Sequence, residues 1–214
     1  EIGNKFIPKD LPLTEYPDER ETICIGIWGK EENFFTLKGL VDTVAETLFI
    51  DFEYVEDKKT FLHPYRTAKI LYNGEEIGYL GQLTYEIQKE EDMRESAYIA
   101  EIDLKALRPV YGKVPTFAPI SKFAKETRDL ALVMNKSVTC GEVEKAIAEA
   151  SSFVESVELF DVYEGLQVGP EKKSMAFTVT FAPKEEEFTT EAVDGYVKKI
   201  LKNLNNKLSV ELRS

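Results

Sequence analysis

The sequence predicts an α+β protein of two domains, each built on an antiparallel sheet. Three observations predict it. Stretches of period-two apolar alternation, the mark of strands, are interleaved with helix-period segments along the chain. A segment with three prolines and a glycine, "RPVYGKVPTFAPISKF" (Arg108–Phe123), separates two such patterned regions. Beyond it the elements follow the order βαββαβ. The expected organisation is a first domain over 1–112, a linker over 113–121 and a second domain over 122–214.

In the first domain, "TICIGIWG" (Thr22–Gly29) reads as a strand. "TLKGLVDTVAETL" (Thr36–Leu48) reads as a helix capped by Thr36, with Leu37, Leu40, Val41, Val44 and Leu48 on one face. "AKILYNGEEIGYLGQL" (Ala68–Leu83) reads as a hairpin, because Asn73-Gly74 supplies the pair of positive φ angles a two-residue turn needs. "AYIAEIDLKAL" (Ala97–Leu107) reads as a further strand.

The second domain starts with a strand at Arg128–Met134. "TCGE" is a capping box, Thr139 facing Glu142, and opens a helix that turns Val143, Ile147 and Ala150 inward. Strands "SVELFDVYEG" (Ser156–Gly165) and "KSMAFTVTF" (Lys173–Phe181) follow. A helix from about Thr190-Glu191 buries Val193, Tyr196, Val197, Ile200, Leu201 and Leu204, and Lys207–Arg213 is expected to close the sheet as a strand. This is the ferredoxin-like split unit; right-handed crossovers put both helices on one sheet face and leave the other open.

The totals limit the function classes. The chain has 214 residues, 43% hydrophobic and 31% charged, as in ordinary soluble domains. No apolar run approaches the roughly 18–20 residues of a membrane span, and "EIGNKFIPKD" lacks signal-peptide character. A cytoplasmic location is therefore expected. Cys24 and Cys140 lie far apart without zinc-ligand spacing, so two reduced thiols are expected and no metal site. Residues 1–115 carry 14 basic and 23 acidic side chains, and residues 116–214 carry 13 and 16, within a net charge of −12. A protein that grips nucleic acid by phosphate neutralisation alone needs the opposite balance. Contact with RNA would be local, and DNA is not expected as a partner.

The period-two reading also describes the open face. On Lys173–Phe181 the apolar set Met175, Phe177, Val179 and Phe181 must meet the helices, leaving Ser174, Ala176, Thr178 and Thr180 outside. On the first strand Leu130, Leu132 and Met134 go inward, and Asp129, Ala131 and Val133 outward. On Ser156–Gly165, Phe160 and Val162 are expected inward, so Asp161 and Tyr163 stand outside. A floor of small residues beside a phenol suits a flat guest: an unpaired base stacked on Tyr163 gains about 1–3 kcal/mol. Its polar edge would meet Asp161 and Ser174, and a carboxylate prefers the N–H donors of guanine to adenine. The competing structural reading has Tyr163 covering the sheet end and Asp161 capping a loop. An ordinary RNA-recognition motif is excluded, since Ala176 and Thr178 stand where its stacking aromatics would be.

Other constellations carry less. His63, the one histidine, has no Cys, Ser or second His at useful spacing and is expected to orient the loop before the hairpin together with Arg66. "KEEEF" (Lys184–Phe188) and "EEDMRE" (Glu90–Glu95) read as solvated loops. Gly78 and Gly81 suit close backbone packing better than a phosphate cradle. Trp28, Phe34 and Phe35 fit either a core or a subunit interface.

The string "FAPISKF…RDLALVMNKSVTCGEVEKAI…SVELFDVYEG…KKSMAFTVTF…TTEAV" resembles the ferredoxin-fold anticodon-binding domain that ends the β subunit of bacterial phenylalanyl-tRNA synthetase. "NFFTLKGLVDTV", "LHPYRTAKILYNGEEIGYLGQL" and "AYIAEIDLKAL" resemble the module before it, a class II synthetase-like fold that has lost its chemistry. The resemblance covers nearly the whole chain and implies a C-terminal fragment of a longer subunit. It further implies a catalytic α subunit as partner in an α2β2 assembly, and ATP and Mg²⁺ as cofactors of the complete enzyme. No cofactor is implied for this stretch, which lacks a "GxGxxR"-type segment and is expected to be inactive alone. The implied tRNA(Phe) anticodon site falls on Ala131, Asp161, Tyr163 and Ser174. Ala124, Thr127 and Glu187 depart from the family pattern, in which proline, arginine and arginine are frequent. The alternative is a small-ligand regulatory domain of the same fold that binds amino acids; "NKSVTCGE", with one glycine, supports it weakly.

Overall fold

The computed structural model describes every residue except 113, 118–121, 185 and 214. The chain forms two compact units, Glu1–Thr116 and Phe117–Ser214. The linker expected over 113–121 falls partly outside the described residues.

The first unit is a six-stranded antiparallel sheet: β1 (Ile2–Ile7), β2 (Asp18–Trp28), β3 (Glu53–Glu56), β4 (Leu62–Tyr72), β5 (Glu75–Leu83) and β6 (Ala97–Asp103), with a short helix α2 (Tyr85–Glu90) between β5 and β6. The strand order is β1-β2-β6-β5-β4-β3. Helix α1 (Phe34–Thr47) packs Leu37 and Val41 into a core with Ile70, Leu80, Ala100 and Ile102. Its cap differs from expectation. Asn33 accepts from the backbone N–H groups of Phe35 and Thr36, while Thr36 closes the box from the third helical position. Both residue types cap well, and the upstream one takes the role. Leu40, expected inward, is 42% exposed. The Asn73-Gly74 turn has the anticipated positive φ values, 52° and 80°. The strand expected to run to Leu107 ends at Asp103, where the chain turns.

The two strand glycines work as close-approach positions. A Cβ on Gly78 would run into the Glu101 carbonyl, and one on Gly81 would lie 2.8 Å from the Arg66 carbonyl oxygen. His63 sits within β4, at an irregularity between Leu62 and Thr67, and not in a loop before the hairpin. Its Nδ1 accepts from the Tyr65 N–H at 3.2 Å, while Arg66 donates to Gln82 at 2.6 Å. Phe34 packs on the core; Trp28 and Phe35 are 75% and 77% exposed.

The second unit has β7 (Glu126–Asn135), α3 (Cys140–Ala150), β8 (Val154–Tyr163), β9 (Lys172–Phe181), α4 (Thr190–Leu208) and β10 (Glu211–Leu212). Its strand order is β10-β7-β9-β8, all antiparallel. One core joins Leu130, Leu132 and Met134 of β7 and Met175, Phe177, Val179 and Phe181 of β9 to residues of both helices. Those include Val143 and Ile147 of α3 and Val193, Ile200 and Leu204 of α4. Both helices therefore lie on the same side of the sheet. The last strand is much shorter than Lys207–Arg213. Lys207 and Leu208 remain helical, Ser209 ends α4 in the left-handed region at φ 53°, and the strand itself comprises Glu211 and Leu212, paired with Val133 and Leu132 of β7.

Candidate functional site

The outer face of the four-stranded sheet is set by register. Asp161 pairs with Ala176 and Ala176 with Ala131; Tyr163 pairs with Ser174 and Ser174 with Val133. Directly paired residues share a face. Ala131, Asp161, Tyr163 and Ser174 therefore belong to two adjacent rows on the side away from the helices. Further along the same face, Thr178 donates to Asp129 at 2.8 Å.

The path by which Asp161 reaches that face differs from simple alternation. β8 carries an irregularity between Leu159, which pairs with core Phe177, and Asp161, which pairs with outer Ala176. Phe160 is the extra residue of this bulge. It is 59% exposed, and Val162 is 51% exposed, so neither is buried inward as expected. β8 is an edge strand, and a bulge there re-aims side chains without breaking a second ladder.

The four residues are not equally open. Asp161 is exposed, and among the described residues no side chain pairs with it. Ala131 and Tyr163 are half-buried, whereas Ser174 is only 3% exposed. The β8–β9 connection folds back toward this end of the sheet. Val168 in it is buried, and the Lys136 N–H bonds the Glu171 carbonyl at 3.0 Å. Lys136 also pairs with Glu164 at 2.9 Å, which raises the Lys136 pKa above the usual lysine range.

Arg213 is the residue that sequence reasoning missed. Its N–H donates to the Ala131 carbonyl at 2.7 Å, extending β10 along β7. Its guanidinium lies 4.9 Å from the centre of the Tyr163 ring and donates to Gln167 Oε1 at 2.8 Å. The side chain thus crosses the floor from one edge of the sheet to the other. The one sequence signal was its place two residues after Glu211, in step with the outer face. Tyr163 is also held from below by Gly165: a Cβ there would lie 2.6 Å from the Tyr163 Cζ.

Chemically, this arrangement offers a ring face, a carboxylate free to accept, a small-residue floor and a mobile-length cation. Among the described residues there is no cluster of three or more His, Cys, Asp or Glu able to hold a metal ion. Thr127 lies exposed in the row with Thr180, and Glu187 is exposed as well; neither adds positive charge. Among the described residues no helix is long and apolar enough to cross a membrane.

Residues 1–104 match the phenylalanyl tRNA synthetase beta chain CLM domain, and residues 121–213 match the ferredoxin-fold anticodon binding domain. The chain belongs to the phenylalanyl-tRNA synthetase beta chain family. It is 35% identical to the phenylalanine–tRNA ligase beta subunit of Bacillus subtilis and 35% identical to that of Bacillus licheniformis. It is 33% identical to the beta subunit of Streptococcus agalactiae. Each alignment covers 100% of this chain and 28% of the relative, so the chain spans little more than a quarter of the beta subunits it matches. The two domain assignments fall in the order that the two sheets take along the chain.

Proposed function

We propose that this chain is a non-catalytic part of a phenylalanine–tRNA ligase beta subunit, in which the second unit reads the tRNA(Phe) anticodon and the first serves as scaffold against the catalytic α subunit. The observation that carries the reading is the shared face: Asp161 and Tyr163 stand in register with the small residues Ala176 and Ser174, opposite the helices. Membership of the anticodon-binding domain family supports it over an amino-acid-sensing domain. In the complete α2β2 enzyme, ATP and Mg²⁺ serve the aminoacylation step at the α subunit, in the cytoplasm; no residue of this chain is assigned to that step. The exposed Trp28 and Phe35 are suited to burial against the α subunit.

Recognition proceeds by exchange. Arg213 already occupies one face of the Tyr163 ring, a cation–π contact worth about 0.5–2 kcal/mol. A nucleobase stacking on the same ring gains about 1–3 kcal/mol, so at the middle of the two ranges the replacement is favourable by roughly 1 kcal/mol before any hydrogen bond forms. Asp161 then accepts from the Watson–Crick edge of a guanine, Ser174 bonds once uncovered, and the methyl-sized Ala131 leaves room for the ring system. The acidic balance of the chain keeps this contact local, with the rest of the assembly supplying the field that attracts tRNA.

The test uses the complete ligase with Tyr163→Ala or Asp161→Ala. Both raise the KM for tRNA while amino-acid activation, followed as pyrophosphate exchange, stays unchanged. Equal losses in the two assays would defeat the recognition role.

A further inference from the structure

The outermost strand of an open sheet exposes unpaired N–H and C=O groups, and folded chains guard such edges with charge, bulges, proline or brevity. Among the described residues the two sheets have four edges: β1 and β3 in the first unit, β10 and β8 in the second. Three of them are guarded. β3 has four residues with a glutamate at each end, and β10 has two residues. β8 is bulged at Phe160 and carries Glu155, Glu158 and Asp161. β1 has none of these devices. Its six residues pair with β2 in unbroken register, and all six are exposed. Its one charge, Lys5, reaches across β2 to Glu101 of β6 and so points away from the edge.

The pairing with β2 determines which backbone groups of β1 face outward. The Glu1 nitrogen donates to the Cys24 carbonyl at 2.9 Å, and the Glu1 carbonyl accepts from the Cys24 N–H at 2.8 Å. Such doubly bonded pairs alternate along an antiparallel ladder. Gly3 and Lys5 therefore also bond β2, while Ile2, Asn4 and Phe6 direct their N–H and C=O groups to the open side. These three residues share one sheet face. It is the α1 side, because Ile2 pairs with Ile23, which packs on the core. Beyond the reach of α1 that face is bare: Ile2 is 62% exposed and Phe6 60%.

We propose that β1 is a self-pairing edge, through which two copies of this chain join antiparallel about a two-fold axis at Asn4. Bonds form only where outward-facing residues oppose one another, so Ile2, Asn4 and Phe6 must match among themselves. The fullest register sets Ile2 against Phe6 of the second copy and Asn4 against Asn4 of the second copy. Each opposed pair then exchanges both of its N–H···O bonds, and the two six-stranded sheets become one. The side chains suit this register without adjustment. Ile2 meets Phe6 twice by symmetry, burying the two most exposed apolar groups of the strand. The Asn4 amides, each both donor and acceptor, meet at the axis. Lys5 falls opposite Gly3, so no like charges face each other. A foreign strand would have to reproduce this match, whereas a second copy already carries it and closes the assembly at two. The acidic surface opposes the contact: residues 1–115 hold 14 basic and 23 acidic side chains. Association therefore strengthens with salt, the reverse of an ion-paired interface. None of this depends on the anticodon reading, which concerns the second unit.

Sedimentation equilibrium of the 214-residue chain tests the proposal. The average mass is expected to rise reversibly with concentration toward that of a dimer. It rises further between about 0.01 M and about 0.15 M salt, as the screening length falls from about 30 Å to about 8 Å. Asn4→Asp sets two carboxylates face to face at the axis and weakens association by up to about fivefold; Asn4→Lys does the same with two ammonium groups. Both leave β1 in place, since the Asn4 side chain makes only a 3.5 Å contact with Glu19. An equal mixture of the two variants recovers the lost affinity, because the mixed dimer pairs opposite charges at one point. Phe160→Lys, on the guarded edge of the second unit, leaves association unchanged. A chain that stays monomeric at every concentration and salt overturns the proposal. So does a mixture no tighter than either variant alone, or a dimer abolished by Phe160→Lys.

Discussion

The two faces of β9 carry different tasks on alternate residues. Toward the helices stand Met175, Phe177, Val179 and Phe181, all 0–2% exposed. Toward the outside stand Lys172, Ser174, Ala176, Thr178 and Thr180, none of them large and apolar. The first set supplies four of the fourteen buried residues of the unit's core, and each such side chain stabilises by about 1.5–3 kcal/mol when removed from water. The second set contributes little burial and keeps space. The lesson is that small outer residues of a central strand are not idle: with a helix layer on one side only, they are what lets a ligand approach the sheet.

The comparison breaks most visibly at Phe177. Phe177→Ala removes a fully buried ring and is expected to lower stability by about 3–5 kcal/mol, read as a fall in the urea midpoint of the second unit. Thr178→Ala, one residue along and on the other face, gives up the hydrogen bond to Asp129 and is expected to change it by about 1 kcal/mol or less. Comparable losses from the two would show that the outer face is also a packed face.

Tyr163→Ala is the next in size and tests the other side of the contrast. Its loss is expected in binding, about 1–3 kcal/mol of stacking, or roughly 5- to 150-fold in affinity for a guanine-bearing loop. Removal of Arg213 from the ring by Arg213→Ala separates the two contributions. If Arg213 only competes with the base, affinity for guanosine rises; a fall would mean that the guanidinium also holds the ring in place.

How far all this is legible from sequence depends on where each strand lies. β9 is central, paired on both sides, and its strict apolar–small alternation gives both faces directly. β7 and both capped helices are legible for the same reason: pattern and burial agree. β8 is an edge, and its bulge at Phe160 lets the strand carry Leu159 on the core side and Asp161 on the outer side, which no period-two count anticipates. β1, with all six residues exposed, and the four-residue β3 have no buried face to leave a pattern. Of the candidate site, Ala131, Asp161, Tyr163 and Ser174 follow from alternation plus family resemblance. Arg213 does not, because its contact with Tyr163 spans the sheet and depends on where a two-residue strand ends.

The capping box of α3 gives a smaller effect with a pH signature. Thr139→Ala is expected to cost about 1 kcal/mol, checked by chemical denaturation near neutral pH. The Thr139 backbone N–H and then its hydroxyl hold the Glu142 carboxyl below the usual glutamate range. A carboxyl whose folded pKa is depressed adds stability above its unfolded pKa and loses it as pH falls through the folded one. Thr139→Ala keeps the backbone donor and loses the hydroxyl, so the gap between wild type and variant narrows on acidification by the hydroxyl's share alone. A gap that widens toward low pH would mean that Glu142 is not part of the cap.

Gly165→Ala sharpens the comparison at its smallest scale. The added methyl meets only the far end of the Tyr163 side chain, and Gly165 carries no left-handed φ, so stability is expected to shift by no more than about 0.5 kcal/mol. The ring must nonetheless tilt away from Gly165, and with it the surface that Arg213 now covers. Binding of guanosine should weaken, by less than in Tyr163→Ala, because a displaced ring still offers some stacking area. A variant of wild-type stability with weakened binding means that the ring's position, and not merely its presence, matters on the outer face. Unchanged binding would mean that Tyr163 acts without needing the place Gly165 reserves for it.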